Sequence, residues 1–340
     1  MVYFDQTKTG SLRHRSGLTR VNGRLREGWT ESEAASVVWQ QWRRDSVQPT
    51  DWFFTSELFS SSERPGWSEW LAKPSCRRAA IFHDAIPLKF PHITWPQSVG
   101  RHAGYLKELA SFDRIFAVSE ASRDELLAFW RWQGVRPRAQ VEVVALGANG
   151  VMPTRPVRRV DPPRPMILMV GILEPRKNQS FVLDRLERLW TAGLEATLHL
   201  VGRVNPHFGK PIVTRIRELR RRWPGKIEFH ERASDAALSK LYARARVTVF
   251  PTLAEGCGLP LLESLWAGVP CLCNDLPVLQ ENAQGGGCLP IPIDDTTEWE
   301  KALGRVLTDD VHWNELTQAA CSRTLPTWQQ TAATLRLSLT

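Results

Sequence analysis

The stretch Phe250-Pro-Thr-Leu-Ala-Glu255-Gly256-Cys257-Gly258-Leu259-Pro260-Leu-Leu-Glu263-Ser-Leu-Trp-Ala-Gly-Val-Pro270 sets two carboxylates across a glycine-rich turn and the start of an apolar segment. The run Val247-Thr248-Val249-Phe250 just ahead of it has the pattern of a buried strand. Gly256 and Gly258 permit a tight turn with close backbone approach, and Pro260 suits the first turn of a helix. A strand, a glycine turn and a helix N-terminus in that order expose backbone N–H groups at the positive end of a helix dipole, which makes an anion site.

The rest of the chain repeats that unit. Short apolar runs at Val2 to Phe4, Trp52 to Phe54, Ala79 to Phe82, Arg114 to Val118 and Val141 to Val144 read as strands of a first half. Met166 to Gly171, Ala196 to Val201, Lys226 to Phe229, Arg246 to Phe250 and Val269 to Leu272 read as strands of a second. Amphipathic stretches of helical period fill the gaps, as in Phe181, Leu186, Leu189 and Trp190. Alternating strands and helices predict an α/β fold, with parallel sheets covered on both faces. Between Pro153 and Pro165 five prolines and four arginines interrupt the alternation, which places a linker there. The predicted domains are 1–155 and 165–320, followed by a helical terminal segment 321–340.

Ligands of open α/β sheets bind outside the carboxyl ends of the strands. In the second half such an end carries Gly171-Ile-Leu-Glu174-Pro-Arg176-Lys177-Asn178, two adjacent cations before a helix for which Asn178 is the expected N-cap. Two cations there suit a diphosphate, whose charge must be met when it leaves. In the first half Ile81-Phe82-His83-Asp84-Ala-Ile-Pro87 puts a histidine at a strand's carboxyl end, with Asp84 placed to orient it or to cap the next turn. Ser16-Gly17-Leu-Thr-Arg-Val21 opens a helix where Gly17 lets backbone amides approach an anion. Ser119 and Ser234 read as N-caps.

Taken together, the E-x7-E string with G-x-G-L-P inside it, E-P-R-K-N, H-D-x-x-P and T-G-I-x-R-V (here Ser16-Gly17-Leu18-Thr19-Arg20-Val21) resemble family 4 of the retaining glycosyltransferases. That family has two Rossmann-like domains in the arrangement called GT-B, with parallel sheets facing across a cleft. The resemblance implies that Glu255 faces the donor sugar, Glu263 bonds the nucleotide ribose, and the amides near Gly258 and Leu259 face the diphosphate. It further implies that Arg176 and Lys177 contact the donor phosphates, and that His83 approaches the donor sugar and acceptor. Gly17, Gly171, Gly256 and Cys257 complete the expected donor site. Cys257 departs from the family, which usually has an aromatic or other bulky residue at that position.

A net charge of +8, carried mostly by arginine in groups such as Arg13, Arg15, Arg20 and Arg24 or Arg217, Arg220, Arg221 and Arg222, favours anionic partners. A phosphate-binding cleft with solvated helix faces accounts for it, and so does docking on an anionic membrane that carries a lipid-phosphate acceptor. Nucleic acid is disfavoured, since no recognised nucleic-acid module appears. Six cysteines without C-x-x-C spacing read as reduced, mostly buried and metal-free. No apolar run is long enough to span a bilayer and no secretory leader follows Met1, so the expected location is cytoplasmic, with possible peripheral contact with the inner face of the membrane. Of fifteen tryptophans nine precede the linker, and Trp67, Trp70 and Trp95, in segments that read as loops, are candidates for a sugar-stacking platform.

These readings predict transfer with retention of a sugar, mannose from GDP-mannose as the first choice, to a glycan or lipid-linked acceptor. No cofactor beyond the nucleotide sugar is expected. No D-x-D metal motif is seen, and arginine plus lysine can replace a divalent cation, so transfer should survive a chelator. The alternatives are a sugar-nucleotide epimerase or phosphorylase on the same architecture, and a non-catalytic sugar-nucleotide or polysaccharide-binding protein.

Overall fold

The computed structural model describes residues 1–11, 17–152, 154–157, 159 and 165–339. Arg13, Arg15, Ser16 and most of the proline-rich stretch (Pro153, Arg158 and residues 160–164) therefore lie outside the described residues. Contacts divide the chain into two compact units, 1–147 with 326–340, and 148–325.

The first unit is built on a parallel sheet of six strands: β1 (Val2–Asp5), β2 (Ala34–Val37), β3 (Trp52–Thr55), β4 (Arg77–Phe82), β5 (Arg114–Ala117) and β6 (Gln140–Val143). Their spatial order is β2-β1-β3-β4-β5-β6, and every pairing is parallel. The second unit repeats the scheme with β7 (Met166–Val170), β8 (Thr197–Val201), β9 (Ile227–His230), β10 (Val247–Phe250), β11 (Cys271–Asn274) and β12 (Cys288–Ile291). These lie in the order β12-β11-β10-β7-β8-β9, again parallel throughout. In each sheet the winding reverses once, between β1 and β3 and between β7 and β10. Strand ends on either side of such a reversal leave a crevice that helices do not fill, which is where ligands of doubly wound sheets bind.

Two strands exceed the sequence expectation, and both are edge strands. Ala34-Ala-Ser-Val37 of β2 is short and small-sided, so it carries little hydrophobic signal. Pro290 inside β12 argues against a strand from sequence, yet at a sheet edge a missing N–H costs no ladder bond.

The tryptophan expectation is corrected. Trp67 and Trp70 open the helix Trp67–Ala72 rather than a loop, and with Trp39, Trp42 and Phe53 they form an aromatic cluster inside the first core, with Trp39 edge-on to Trp67 and Trp70 and Trp42 stacked on Phe53. Trp67 has no exposed surface, so neither it nor Trp70 can serve as a sugar platform. Trp95, 39% exposed, is the member of that set at the surface. The terminal helix Trp328–Ser338 belongs to the first unit: Arg336 pairs with Glu33, Thr331 donates to the Ala145 carbonyl, and Ala332 fills the space above Gly28.

At the reversal between β1 and β3 lies a buried charge network. The Arg64 guanidinium, wholly excluded from solvent, donates to Asp5 Oδ2 at 2.5 Å and Glu57 Oε2 at 3.0 Å. Glu57 in turn accepts from the backbone amides of Lys8 and Thr9 and from the Thr9 hydroxyl, and Asp5 accepts from Thr7 and Thr55. Burial, then the charge of Asp5, raises the Glu57 carboxyl above its usual range, with the bonds from Thr9 and Lys8 opposing that rise. Removing the cation strands two buried carboxylates. Arg64→Met should therefore cost about 3–5 kcal/mol of stability, read as a lowered unfolding midpoint in near-UV circular dichroism. Arg131→Met, exposed in the last turn of the helix Glu120–Trp132, should cost no more than about 0.5 kcal/mol. Equal losses in the two variants would refute the role given to Arg64.

Candidate functional site

The two turns that leave the reversal between β7 and β10 carry the charged residues singled out in the second half. After β7, Pro175–Lys177 form a single 3-10 turn. After β10 the chain turns through Thr252, Glu255 and Gly258 into the helix Leu259–Trp266. Thr252 and Leu253 tie the turns together: the Leu253 amide donates to the Arg176 carbonyl at 2.8 Å, and the Thr252 hydroxyl oxygen lies 3.1 Å from the same carbonyl.

Side-chain charges then close the arrangement. Glu255 Oε1 takes the Lys177 ammonium, Arg176 Nη1 at 3.1 Å and the Thr252 hydroxyl at 2.8 Å. Arg176 is forked from its other side by Glu174 Oε1, which receives Nε at 3.1 Å and Nη2 at 2.8 Å. Asn205, beyond β8, holds Glu174 through Oε2 at 3.0 Å. Lys177 lies nearly buried, its stem against Gly171 and its ammonium 5.1 Å from the centre of the Phe250 ring. Burial lowers the Lys177 ammonium, partly offset by the charge of Glu255. For Glu255 burial acts to raise the carboxyl, but the charges of Lys177 and Arg176 with bonds from Lys177 and Thr252 outweigh it and hold the group below its ordinary range. Two cations and two carboxylates sum to zero, so these side chains alone do not form a cradle of excess positive charge.

The anion-attracting element is the neighbouring helix. Gly258 sits at its N-cap with φ of +79°, where an added Cβ would come within 2.9 Å of Leu279. Leu261 and Leu262 bond back to the Gly258 carbonyl and Pro260 has no N–H, so the leading amides are those of Gly258 and Leu259. Asn282 fixes the turn by donating to the Cys257 carbonyl at 2.6 Å. The Cys257 thiol is pushed up to about 12 by burial, then by the charges of Glu255 and Glu281, and so stays neutral.

Glu263, one turn further along this helix, is buried and accepts from the Tyr242 hydroxyl at 3.2 Å. Gly150 approaches it so closely that an added Cβ there would lie 2.1 Å from Glu263 Oε1. Gly202, after β8, has a similar constraint, since its Cβ would fall 2.0 Å from the Gly171 carbonyl. The expected Asn178 cap is corrected: Asn178 occupies the N-cap position in a left-handed conformation without a side-chain cap bond. Gln179 does the local bonding instead, donating to the Ile172 carbonyl at 2.8 Å. Ser119 and Ser234 do cap their helices, accepting from Ser122 and Ala237.

His83 and Gly17 belong to the first unit. Gly17 opens the helix Gly17–Glu27, whose Asn22 bonds Ser56 and the Asp5 carbonyl beside the buried network. His83 follows β4 directly and is 7% exposed. Its Nε2 lies 2.8 Å from the Ser56 carbonyl, which can only accept, so Nε2 carries the proton and Nδ1 is an acceptor. Burial lowers its basicity and so favours the neutral ring, while that bond and the charge of Asp84 act the other way. Asp84 caps the next turn through the Ile86 amide at 3.0 Å.

Sequence reading passed over Glu174, Asn205, Thr252, Tyr242 and Gly150. Glu174 was visible inside E-P-R-K-N without a role. Asn205, Tyr242 and Gly150 carry no local signal, because their contacts come from segments far apart in the chain, and Thr252 gains its place by reaching both Glu255 and the distant Arg176 carbonyl.

Fold and site define a protein of two Rossmann-like units whose second unit holds an ordered cation–carboxylate cluster and a helix N-terminus at its sheet reversal. Residues 164–309, which lie in the second unit, match the family described as glycosyl transferases group 1. The chain is 28% identical over 230 residues to the serotype-specific mannosyltransferase WbdA of Escherichia coli, a match covering 60% of this chain and 26% of that one. It is 26% identical over 258 residues to O-antigen chain mannosyltransferase B of Escherichia coli, covering 72% of this chain and 64% of that one. The chain thus spans about a quarter of the length of WbdA. Among solved structures, the Anabaena protein HepE in complex with UDP and glucose superposes with a TM-score of 0.70 at 13% identity, over 99% of this chain and 98% of that one. Sucrose-phosphate synthase from Thermosynechococcus elongatus gives 0.64 at 20% identity, over 84% and 71%. These likenesses establish the fold, the one called GT-B.

Two expectations follow from the cluster. Glu255→Gln leaves the buried Lys177 opposite a neutral amide and should cost about 3–5 kcal/mol at neutral pH. Because the folded carboxyl titrates below its unfolded value of about 4.3, that contribution is present above the unfolded pKa and lost as pH falls through the folded one. The gap between wild type and Glu255→Gln in urea titrations should narrow below about pH 4; a gap independent of pH would show that charge is not what Glu255 contributes. Cys257, as a neutral thiol, should be alkylated by iodoacetamide at pH 8.5 at least about 100-fold more slowly than an unperturbed thiol, as peptide mapping of native protein would reveal. Rapid labelling of Cys257 would contradict the raised pKa of its thiol.

Proposed function

We propose that this protein transfers a sugar from a nucleoside diphosphate donor to a hydroxyl of a glycan or lipid-linked acceptor, with retention at the anomeric carbon and without a metal ion. The observation that carries the reading is the Glu174–Arg176–Glu255–Lys177 cluster, set beside a helix N-terminus at the sheet reversal of a group 1 glycosyltransferase domain. The mannosyltransferase names of its relatives make GDP-mannose the donor of first choice and a polysaccharide the acceptor.

In this reading the diphosphate lies against the Gly258 and Leu259 amides, and Arg176 and Lys177 turn toward the charge that develops on it. Glu255 neutralises the two cations while the donor is absent and then positions the sugar through its remaining oxygen. Glu263, anchored by Tyr242, takes the ribose. His83 offers Nδ1 as an acceptor to a substrate hydroxyl, and the departing diphosphate takes the acceptor's proton on the same face, so no separate base is needed. Gly17 is the proposed phosphate contact of the first unit, and Gly171 and Gly256 allow the backbone to approach the donor. The action of the protein on the inner face of a membrane, through its basic surface, belongs to the same proposal. No helix among the described residues is long and apolar enough to cross one.

Thermal-shift screening against GDP, UDP and dTDP sugars identifies the donor, because a ligand that binds only the folded state raises its apparent stability. We expect GDP-mannose to give the largest shift. We also expect transfer to persist in EDTA, an α-linked product by NMR, and Arg176→Ala to lower turnover about 10²- to 10³-fold with its circular dichroism unchanged. A product of inverted configuration would refute retention. Reversible loss of transfer on chelation would refute the metal-free mechanism, and epimerised donor without transfer would refute the reaction class.

A further inference from the structure

Outside the sheet reversal, two histidines and a glutamate meet on one face of the second sheet. His199 lies on β8, and Glu228 and His230 lie on β9. The parallel register sets His199 opposite Glu228 and Val201 opposite His230. Side chains alternate along a strand and cross-strand partners share a face, so all three project to the same side. Since β9 is the last strand of the sheet, the group opens at an edge. His199 is buried beneath it, His230 is half-buried and Glu228 is exposed.

The distances are those of a coordination sphere. His199 Nδ1 and His230 Nε2 are 3.1 Å apart, and Glu228 Oε2 is 3.6 Å from each. The point equidistant from three atoms so spaced lies about 2.0 Å from every one of them, which is the length of a zinc–nitrogen or zinc–carboxylate bond. We propose that His199, His230 and Glu228 bind a divalent cation of the zinc class, clipping the edge strand β9 to β8.

Two imidazoles and one carboxylate select among cations. Nitrogen ligands favour zinc, cobalt and nickel over magnesium and calcium, which prefer all-oxygen shells. In the metal-free arrangement the two rings, inclined by 14°, share a hydrogen bond between Nδ1 and Nε2. A cation takes the place of that proton. The proton passes to the other nitrogen of the same ring, and modest rotation brings both lone pairs onto the ion, so binding to the neutral pair releases no proton. Burial lowers the basicity of His199, as do His230 and Arg244, while Glu228 acts the other way. The neutral ring is the form a metal requires. Arg244, at the end of the helix Asp235–Arg244, opposes an added cation, and the Glu228 carboxylate offsets it. Exposure of Glu228 leaves the outer coordination positions to water. The bonds that join Glu174, Arg176, Glu255 and Lys177 are made without these three side chains, so replacing them should leave sugar transfer intact.

The test uses the full chain without an affinity tag, stripped with EDTA and exchanged into chelator-free buffer. Cobalt(II) titration should show one saturable equivalent with visible ligand-field bands and no thiolate charge-transfer band, displaced by one equivalent of zinc. Zinc should raise the thermal midpoint of the wild type. Glu228→Gln should weaken cobalt binding by about 10-fold, and His230→Ala, at a half-buried edge position where the fold is retained, by at least about 100-fold. Circular dichroism of both variants guards against unfolding. No saturable binding, binding undiminished in His230→Ala, or a thiolate band showing that cysteines hold the ion would each overturn the proposal.

Discussion

A lysine and a glutamate buried together where the second sheet reverses its winding hold the turns after β7 and β10 in register. Neither charge is tolerable there alone, since an unpaired ion in a low-dielectric interior loses its hydration without recompense. Lys177 and Glu255 answer each other, Arg176 bridges Glu255 to Glu174, and Asn205 extends the chain of contacts to the next strand. Glycines at 202 and 258 supply the close approaches that a side chain would block. The Leu253 amide bond to the Arg176 carbonyl, with the Thr252 hydroxyl beside it, then makes the turn after β7 and the turn after β10 one object.

The first unit solves the same problem with different residues. Its reversal, between β1 and β3, is filled by Arg64 between Asp5 and Glu57, and the loop after β1 hangs its amides on Glu57. Part of the basic excess thus does structural work. Arg159 is buried against the carbonyls of Tyr242, Ala243, Ala245 and Ala267, ending two helices at once, and Arg246 is sandwiched between the Val306 carbonyl, Asp310 and the Trp313 ring. Arginines so placed offer nothing to a partner. The charge left for anions is carried by exposed helix faces such as Arg220, Arg221 and Arg222.

Most of the α/β alternation was legible because buried parallel strands are short continuous apolar runs, and ten of the twelve described strands have that signature. The two that escaped are edge strands, one too small-sided and one interrupted by proline. The tryptophans misled for a related reason. Trp67 and Trp70 stand among polar and proline residues, and only packing against Trp39, Trp42 and Phe53 shows that their segment is a helix on the core. The turn residues Arg176, Lys177 and Glu255 were named from local strings, but their mutual pairing was not, since it joins positions nearly eighty residues apart.

By itself, then, the sequence determined where strands end in glycine turns, which charged side chains stand at those ends, and so which class of ligand the turns suit. These are local properties, set by periodicity and by the few residues able to make a given turn. Tertiary structure alone decided which charges neutralise one another, that Glu263 rests on Tyr242 against Gly150, that Asn178 leaves the capping to other groups, and that His199, Glu228 and His230 share one face. Such pairings depend on strand order and register, which bring distant residues within bonding distance only when the whole sheet forms.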